Sequence, residues 1–272
     1  MLNLSRVTPN EWEFVYPRIY YDLMDEFHAG CEFHEEMDLD KAERSFKGVL
    51  AQMPEHLDAI HHLAIVVSER DLTEQARDLW FQAVSIGRKA FPQEFELGRD
   101  RLVWGWLENR PFLRCLHGLA LARYDNGEVE EALRLFQELL SLNPNDNQGV
   151  RALAVTALFE LGRLEEVLTL TERYRNEIIP EVLFGRALAL FKLGQRRQAT
   201  IALKKAIEEL PLVSKELLKK RHRLPRTAMR DSIVVGGADQ AYYYWEHAGR
   251  FWEEDPKATE WLRGIARPAE AH

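Results

Sequence analysis

The chain has few of the patterns that mark secreted, membrane-spanning or redox proteins. Its 272 residues include only two cysteines, Cys31 and Cys115, and two thiols cannot make the disulfide framework of a small secreted domain. There is no CxxC motif, so zinc-knuckle and thioredoxin-like sites are not indicated. No run approaches the roughly 20 apolar residues of a membrane-spanning helix, and the first residues lack the apolar core of a secretory signal. A cytoplasmic location is the resulting expectation.

Catalytic motifs are also missing. The sequence has no GxSxG, HExxH or GxxxxGK[ST] motif, and no GxGxxG follows a strand. Strand-like runs are almost absent. Acidic pairs such as Glu35/Glu36 are common on solvated helix faces, and none forms a recognisable acid–base pair. We therefore expect a protein that is not an enzyme and has no cofactor.

One segment has the spacing of a metal site. His28, Cys31 and His34 follow an H-x2-C-x2-H pattern, in which donors at i and i+3 can share a helix face, and His and Cys are ligands that suit zinc. Gly30 and Phe33, however, occupy packing positions of the same helix, and no fourth ligand is evident nearby. We interpret the segment as structural and predict no metal.

The net charge of −8 is distributed unevenly. Residues 192–230 contain twelve bases and three acids, a net charge of +9, so the remainder of the chain carries −17. An acidic body argues against binding nucleic acid over the whole surface, because it repels phosphates. The excess of positive charge over residues 192–230 is the feature that needs an explanation.

Small residues and prolines recur with one spacing. A small residue is followed by another 12 positions later, by an aromatic residue or leucine 4 positions after that, and by a proline 8 positions further on. A further block begins 34 residues after the first and lacks only the proline. The four blocks are Gly30/Ala42/Phe46/Pro54, Ala64/Ala76/Trp80/Arg88, Ala120/Ala132/Phe136/Pro144 and Ala187/Ala199/Leu203/Pro211.

Pairs of short helices explain this spacing. The small residues allow two helix axes to approach, the bulky residue fills the gap to the next pair, and proline ends the second helix. Glycines at Asn126-Gly127, Leu161-Gly162 and Leu193-Gly194 mark the turn inside a pair, where a left-handed residue is needed. These features resemble the 34-residue tetratricopeptide repeat (TPR) from about residue 23 to 213. The resemblance implies an all-α, TPR-type αα-superhelix.

Two segments interrupt the repeats. The first is a tryptophan-rich insert, expected to be helical, and the second is a polar, basic connector around Pro225. After the connector, Ala241, Trp245, Ala248 and Trp252 share one helix face and predict a capping helix pair, because an uncapped repeat stack exposes its core. The predicted parts are a helical lead-in (1–22), TPR units 1–2 (23–90), the insert (91–112), TPR units 3–5 (113–213), the connector (214–236) and capping helices with a tail (237–272).

Two longer motifs suggest a narrower resemblance. The runs 104–112 and 143–151, together with a C-terminal Gly-Gly…Tyr…Trp…Trp-Leu pattern, are similar to a group of uncharacterised bacterial TPR proteins over about 100–265. That similarity implies no activity for these residues.

The resemblance to TPR proteins also indicates where a partner binds. In such stacks the first helix of each pair faces a concave groove, and stacks that clamp a C-terminal carboxylate carry lysine at repeat position 5. Position 5 here is aromatic or histidine, so a carboxylate clamp is not expected. We predict a protein-interaction scaffold that binds a peptide or helix in an aromatic and histidine-rich groove. The candidate groove residues are Phe27, His34, His61, His117, Tyr124, Phe184 and Phe191.

Two alternatives stay open. Insert 91–112, with Trp104, Trp106 and Phe112, can fold into the groove and bury it; exposure of Phe184 and Phe191 as one patch decides between the two. The basic stretch can bind nucleic acid or an acidic partner, or it can offset the acidic body. The residues of this alternative site are Lys215, Lys219, Lys220, Arg221, Arg223 and Arg226. The sequence identifies neither the partner nor the oligomeric state.

Overall fold

The structure, a computed structural model, describes residues 2–226, 228–229 and 232–266. The all-α, TPR-type repeat fold predicted from the sequence is confirmed, because successive antiparallel helix pairs make up most of the described chain. The chain divides into two compact units, the N-terminal unit (Met1–Val150) and the C-terminal unit (Arg151–His272). No helix in the described ranges is long and apolar enough to cross a membrane.

A β-hairpin begins the N-terminal unit. β1 (Asn3–Thr8) pairs antiparallel with β2 (Glu11–Val15), and Leu4 lies opposite Phe14. The prediction of a helical lead-in over 1–22 is therefore wrong for most of that segment, where only α1 (Arg18–Asp22) is helical. The physical reason is a period of two: Trp12 and Phe14 are both buried, and their neighbours in β2 are not.

Three helix pairs follow in the N-terminal unit. Their bounds are α2 (Met24–Glu35) with α3 (Leu39–Gln52), α4 (Leu57–Ser68) with α5 (Thr73–Lys89), and α6 (Arg110–Asp125) with α7 (Val129–Leu142). Side-chain caps define two of the starts. The Asp38 side chain accepts a hydrogen bond from the Lys41 backbone N–H, and His56 Nδ1 accepts one from Ala59 N–H, each at 3.1 Å. Each cap satisfies a donor that the first turn of a helix leaves unpaired.

The tryptophan-rich insert is largely irregular, which corrects the expectation of a helical segment. After α5 the backbone runs without α-helix to a single 3-10 turn at Leu107–Asn109, and α6 begins at Arg110 with Pro111 in its first turn. Arg101 extends the edge of β2, since its C=O accepts from Trp12 N–H at 2.9 Å. The insert is thus held in place by backbone hydrogen bonds to the hairpin.

The regular elements described in the C-terminal unit are all helices. Its helices are α8 (Val150–Glu160, which starts at the last residue of the N-terminal unit), α9 (Leu164–Arg173), α10 (Pro180–Lys192), α11 (Arg196–Glu209), α12 (Pro211–Leu217), α13 (Ala238–Ala248), α14 (Arg250–Glu253) and α15 (Pro256–Ala266). Because α12 extends to Leu217, the connector predicted to begin at 214 starts a few residues later. Phe184, Trp252 and Leu262 lie in one buried core cluster.

The repeat markers serve the purposes predicted for them. A Cβ built on Gly30 would lie 2.6 Å from a ring carbon of Phe46, so the α2–α3 contact needs glycine there. Gly127, Gly162 and Gly194 have φ of +78°, +68° and +76°, the left-handed conformation expected at the turn inside a pair.

Candidate partner-binding surfaces

A buried ion pair lies on the first helices of the N-terminal unit. Asp58 on α4 is 5% exposed, and its Oδ1 lies 3.0 Å from an Nη atom of Arg114 on α6. The Tyr20 hydroxyl donates to Asp58 Oδ2 at 3.4 Å. Burial raises the pKa of the Asp58 carboxyl, and the Arg114 guanidinium and the Tyr20 hydrogen bond offset part of that rise. About a third of the Arg114 side chain stays exposed, so Asp58 fixes the orientation of a cation that reaches the surface.

The histidines around this pair are held in the neutral form. Burial lowers the pKa of His56 to about 4, of His61 to about 3 and of His62 to about 4, and it also lowers the pKa of His117. His61 Nδ1 accepts a hydrogen bond from Trp80 Nε1 at 3.1 Å. At neutral pH these rings therefore act as uncharged packing and hydrogen-bonding groups.

A set of partly exposed side chains lies on the successive first helices α2, α4 and α6. We call this set the first-helix row. Its members are ring, thiol and aliphatic side chains together with one arginine, Arg114. They are Cys31, His34, His61, Ile65, Arg114, His117, Leu121 and Tyr124.

Three predicted groove residues lie elsewhere, and their assignment to an exposed groove is wrong. Phe27, Phe184 and Phe191 are 5%, 0% and 3% exposed. In the C-terminal unit the rings of Tyr244 and Trp252 lie 5.9 and 6.3 Å from Phe184. Position within a repeat predicts exposure only where nothing else covers the side chain. Phe184 and Phe191 are covered by α13, α14 and α15, and Phe27 packs against Phe46 and His56, with ring centroids 5.8 and 5.5 Å away.

The other groove candidates remain at the surface. His34, His61, His117 and Tyr124 are partly exposed members of the first-helix row. His34 Nε2 is 2.9 Å from Glu69 Oε2. The alternative in which the insert fills the groove does not explain the burial of Phe184. Capping helices of the C-terminal unit cover Phe184 instead. The alternation of small and aromatic residues in 241–252 was the signal for that cover.

The insert instead packs on the hairpin. The Phe91 ring lies 6.2 Å from Phe14, and Phe95 lies 5.8 Å from Trp12. Asn109, fully buried, accepts from Phe14 N–H at 3.1 Å and donates to Trp12 C=O at 2.9 Å. Sequence reasoning missed Asn109, because a lone asparagine carries no periodic signal.

The possible metal segment does not assemble a site. Cys31 Sγ lies 4.0 Å from His62 Nδ1, and burial raises the pKa of the Cys31 thiol to about 11, which disfavours the thiolate that binds metals. Within the described ranges no three His, Cys, Asp or Glu side chains are grouped so that they could hold an ion.

The basic stretch, residues 215–226, presents its cations to solvent. The exposed members are Lys215, Lys219, Lys220, Arg221, Arg223 and Arg226. A buried carboxylate anchors the stretch: Glu216 is 3% exposed, pairs with Lys219, and lies 3.0 Å from His222 Nδ1. The His222 ring stacks on Trp245 of α13 with centroids 3.6 Å apart. The stretch therefore has a fixed base and a cationic outer face.

Comparison with solved structures shows the fold. MamA has a TM-score of 0.53 at 17% identity, with 76% of this chain and 98% of that chain covered. The TPR protein YrrB, described as having an unusual peptide-binding site, has a TM-score of 0.52 at 16% identity, covering 72% and 93%. A TPR protein from Parabacteroides merdae has a TM-score of 0.51 at 18% identity, covering 93% and 88%.

Sequence comparison gives a narrower assignment. A curated relative, the "Probable transcription factor claV" of Ampulloclitocybe clavipes, is 29% identical over 192 residues, covering 62% of this chain. The chain spans about a quarter of that relative's length, 25%. The similarity to a group of uncharacterised bacterial TPR proteins is not confirmed. Residues 32–269 match the family Tcf25, described as "Transcriptional repressor TCF25", and the chain belongs to that family.

Proposed function

We propose that the chain is a protein-interaction module that binds a peptide segment of a partner on the first-helix row of the N-terminal unit. The observation that carries this proposal is the pair of Asp58 and Arg114. A buried carboxylate on α4 holds a partly exposed guanidinium of α6 in one orientation, at 3.0 Å.

The chemistry of the row fits an extended or helical peptide. An arginine that is fixed before binding loses little conformational freedom when it meets a carboxylate or a backbone carbonyl. Neutral rings at His61 and His117 and the apolar side chains of Ile65 and Leu121 offer contact area around it. A buried ion pair adds little to stability compared with an apolar pair, so a binding role accounts for its presence better than a structural one.

The family assignment supports a setting for this binding. The Tcf25 description names a transcriptional repressor, and the curated relative is a probable transcription factor. We therefore propose that the partner belongs to a transcription-related assembly and that the chain acts in the nucleus, instead of the cytoplasmic location expected from the sequence alone.

Site-specific photocrosslinking tests the proposed surface. A photoreactive amino acid replaces Leu121 in the first-helix row or Phe81, which is exposed on α5 outside the row. We expect one dominant crosslinked partner from position 121 in the cells that express the chain, and none above background from position 81. His117→Ala should reduce the crosslink at 121 without lowering the melting temperature. Equal crosslinking from both positions contradicts the proposal.

The basic stretch is a second candidate surface, for nucleic acid or an acidic partner. The specific observation is that six cations face solvent on a base held by Glu216, His222 and Trp245. Duplex DNA labelled with a fluorophore should bind with an affinity that falls steeply with salt, because binding releases counterions.

A matched pair of variants tests this second candidate. Lys220→Glu with Arg223→Glu removes two cations from the basic stretch, and Lys257→Glu with Arg263→Glu makes the same charge change on exposed positions of α15. The first pair should abolish DNA binding and the second should leave most of it. If both pairs weaken binding equally, the effect is one of net charge and the basic stretch is not a site.

A further inference from the structure

A cleft opens on the C-terminal unit, among α9, α10 and α11, and none of the residues predicted to bind a partner lines it. Its volume is about 400 Å³. Apolar side chains form most of its wall: Leu168, Val182, Leu183, Leu190, Ile201 and Ala202. Leu168 and Ala202 also pack against the buried core of the unit, so the floor of the cleft is continuous with that core.

The cleft carries cations and no acid of its own. Arg175, Arg186 and Lys205 line it, together with neutral polar side chains, and none of the lining residues is acidic. Glu172, beside the cleft, serves two of these cations, with oxygens 3.4 Å from Arg175 and 2.9 Å from Arg186. Lys205 forms no ion pair with any residue in the described ranges. One carboxylate facing three cations leaves the cleft positive.

Two side chains give the cleft a defined shape before any partner arrives. Arg186 Nη1 donates to Leu168 C=O at 3.1 Å and to Thr171 Oγ1 at 3.3 Å, so its guanidinium is fixed across the α9–α10 boundary. On the opposite wall, Ile201 of α11 is 63% exposed. At the rim of an apolar cleft, this aliphatic side chain extends the apolar surface that a partner can bury.

We propose that this cleft binds an acidic amphipathic helix of a partner protein. The apolar floor matches the apolar face of such a helix, and the three cations match acidic residues along its flanks. A free anion or duplex nucleic acid gains nothing from an apolar floor. A purely apolar helix would leave Lys205 without a counter-charge, because Glu172 pairs only with Arg175 and Arg186. The charge of the surrounding unit agrees: residues 151–272 contain 21 Lys/Arg and 17 Asp/Glu, a net charge of +4.

The first experiment identifies the occupant's chemistry without assuming its sequence. A display library of random helical peptides is selected on the full chain and counter-selected on the Ile201→Glu/Lys205→Glu variant. We expect enriched peptides to carry Leu, Ile or Phe at i, i+3, i+4 and i+7 with Asp or Glu beside them. Enrichment of basic peptides, or no enrichment that depends on these two residues, overturns the proposal.

The second experiment measures the enriched peptides directly, by fluorescence anisotropy. Ile201→Glu and Lys205→Glu should each weaken binding by about tenfold or more, roughly 1.4 kcal/mol. Lys204→Glu is the matched control, since Lys204 is exposed on the same helix, undergoes the same charge change and does not line the cleft. It should weaken binding less than about threefold. All three variants should melt at the wild-type temperature, because each side chain is exposed.

Two other occupants give different results. If the chain self-associates in sedimentation and Ile201→Glu abolishes this, the cleft takes a second copy and the proposal fails. If the chain binds duplex DNA and Ile201→Glu does not weaken that binding, the DNA occupies the basic stretch and the proposal stands. If Ile201→Glu abolishes DNA binding, the cleft binds DNA and the proposal fails. Loss of crosslinking at position 121 is a separate result, because that position lies in the other unit.

Discussion

The two units of this chain are both built from helix pairs, but they carry net charges of opposite sign and their helices are covered by different elements. Residues 1–150 contain 15 Lys/Arg and 27 Asp/Glu, a net charge of −12, whereas residues 151–272 carry +4. The N-terminal unit is covered at its start by a β-hairpin and keeps its first-helix side chains partly exposed. The C-terminal unit buries Phe184 and Phe191 beneath capping helices. Equivalent repeat positions are therefore exposed in one unit and buried in the other, depending on whether further helices pack over them.

Replacing Trp252, a buried residue of the capping helices of the C-terminal unit, should have the largest effect on stability. Trp252 is 1% exposed, donates to the Tyr244 hydroxyl at 3.1 Å and lies against Phe184. Trp252→Ala should lower the free energy of unfolding by about 3–5 kcal/mol, measured by urea denaturation. Amide exchange should rise in α13 and α10. Trp106→Ala, at a tryptophan that is 36% exposed, is the control and should change stability by less than about 1 kcal/mol.

The packing of the β-hairpin on the N-terminal unit should depend on the side-chain amide of Asn109. Asn109→Ala leaves Phe14 N–H, Trp12 C=O and Val103 C=O without their partner, at a cost of about 3 kcal/mol. Asn126→Ala makes the same change on an exposed turn of the same unit and should cost less than about 0.5 kcal/mol. Faster amide exchange confined to the hairpin and 91–109 supports this account. Equal stability of the two variants contradicts it.

Mild acid should destabilise the N-terminal unit. His56, His61 and His62 have folded-state pKa values of about 4, 3 and 4, below the unfolded value near 6.5. Between these values the unfolded chain binds more protons, so stability is complete above about pH 6.5 and is lost as the pH falls towards 4. From pH 7.5 to 6 the free energy of unfolding should fall by about 2 kcal/mol.

The pH effect has a local readout and a control. Amide exchange in α4 should rise at pH 6 beyond the intrinsic change in exchange rate. Burial raises the pKa of Asp58, which acts in the opposite direction, so Asp58→Asn should steepen the loss or leave it unchanged. His62→Gln should flatten it. A free energy of unfolding that stays constant between pH 7.5 and 6 would falsify the assignment of neutral, buried histidines.

Two glycine substitutions give the smallest expected effects, with opposite signs in the two units. In the N-terminal unit, Gly30→Ala places a Cβ 2.6 Å from the Phe46 ring, and the overpacking should cost about 1–2 kcal/mol. In the C-terminal unit, a Cβ on Gly264 in α15 meets open space, so Gly264→Ala should stabilise by about 0.5–1 kcal/mol. Thermal melts of the two variants check both signs.

The repeats were predictable because their cause is local. Gly30, Gly127 and Gly194 mark close approach or a left-handed turn, and each such requirement appears in the sequence at a fixed distance from the next. The hairpin had a weaker signal, the alternation of Trp12, Phe14 and Tyr16. Its strands are 6 and 5 residues long. Phe95 and Phe91, whose rings pack against Trp12 and Phe14, lie about eighty residues further along the chain.

The candidate surfaces were predictable only in part, for a related reason. The basic stretch was visible because charge is a property of the residues themselves. Exposure of Phe184 and Phe191 depends on helices more than fifty residues later, and the holding of Arg114 by Asp58 depends on two different repeats. The cleft at Ile201 depends on the spacing of three helices. No periodic pattern encodes any of these.

The Asn109 side chain also sets an order of events during synthesis. Its hydrogen bonds join residues 95 and 97 positions apart in sequence, and a two-stranded hairpin is at best marginally stable alone in water. The hairpin therefore leaves the ribosome before Asn109 and becomes stable only after roughly a hundred further residues have emerged, at about 5–20 residues per second. For several seconds Trp12 and Phe14 lack their final packing partners. During that interval a chaperone that recognises aromatic segments can bind the hairpin.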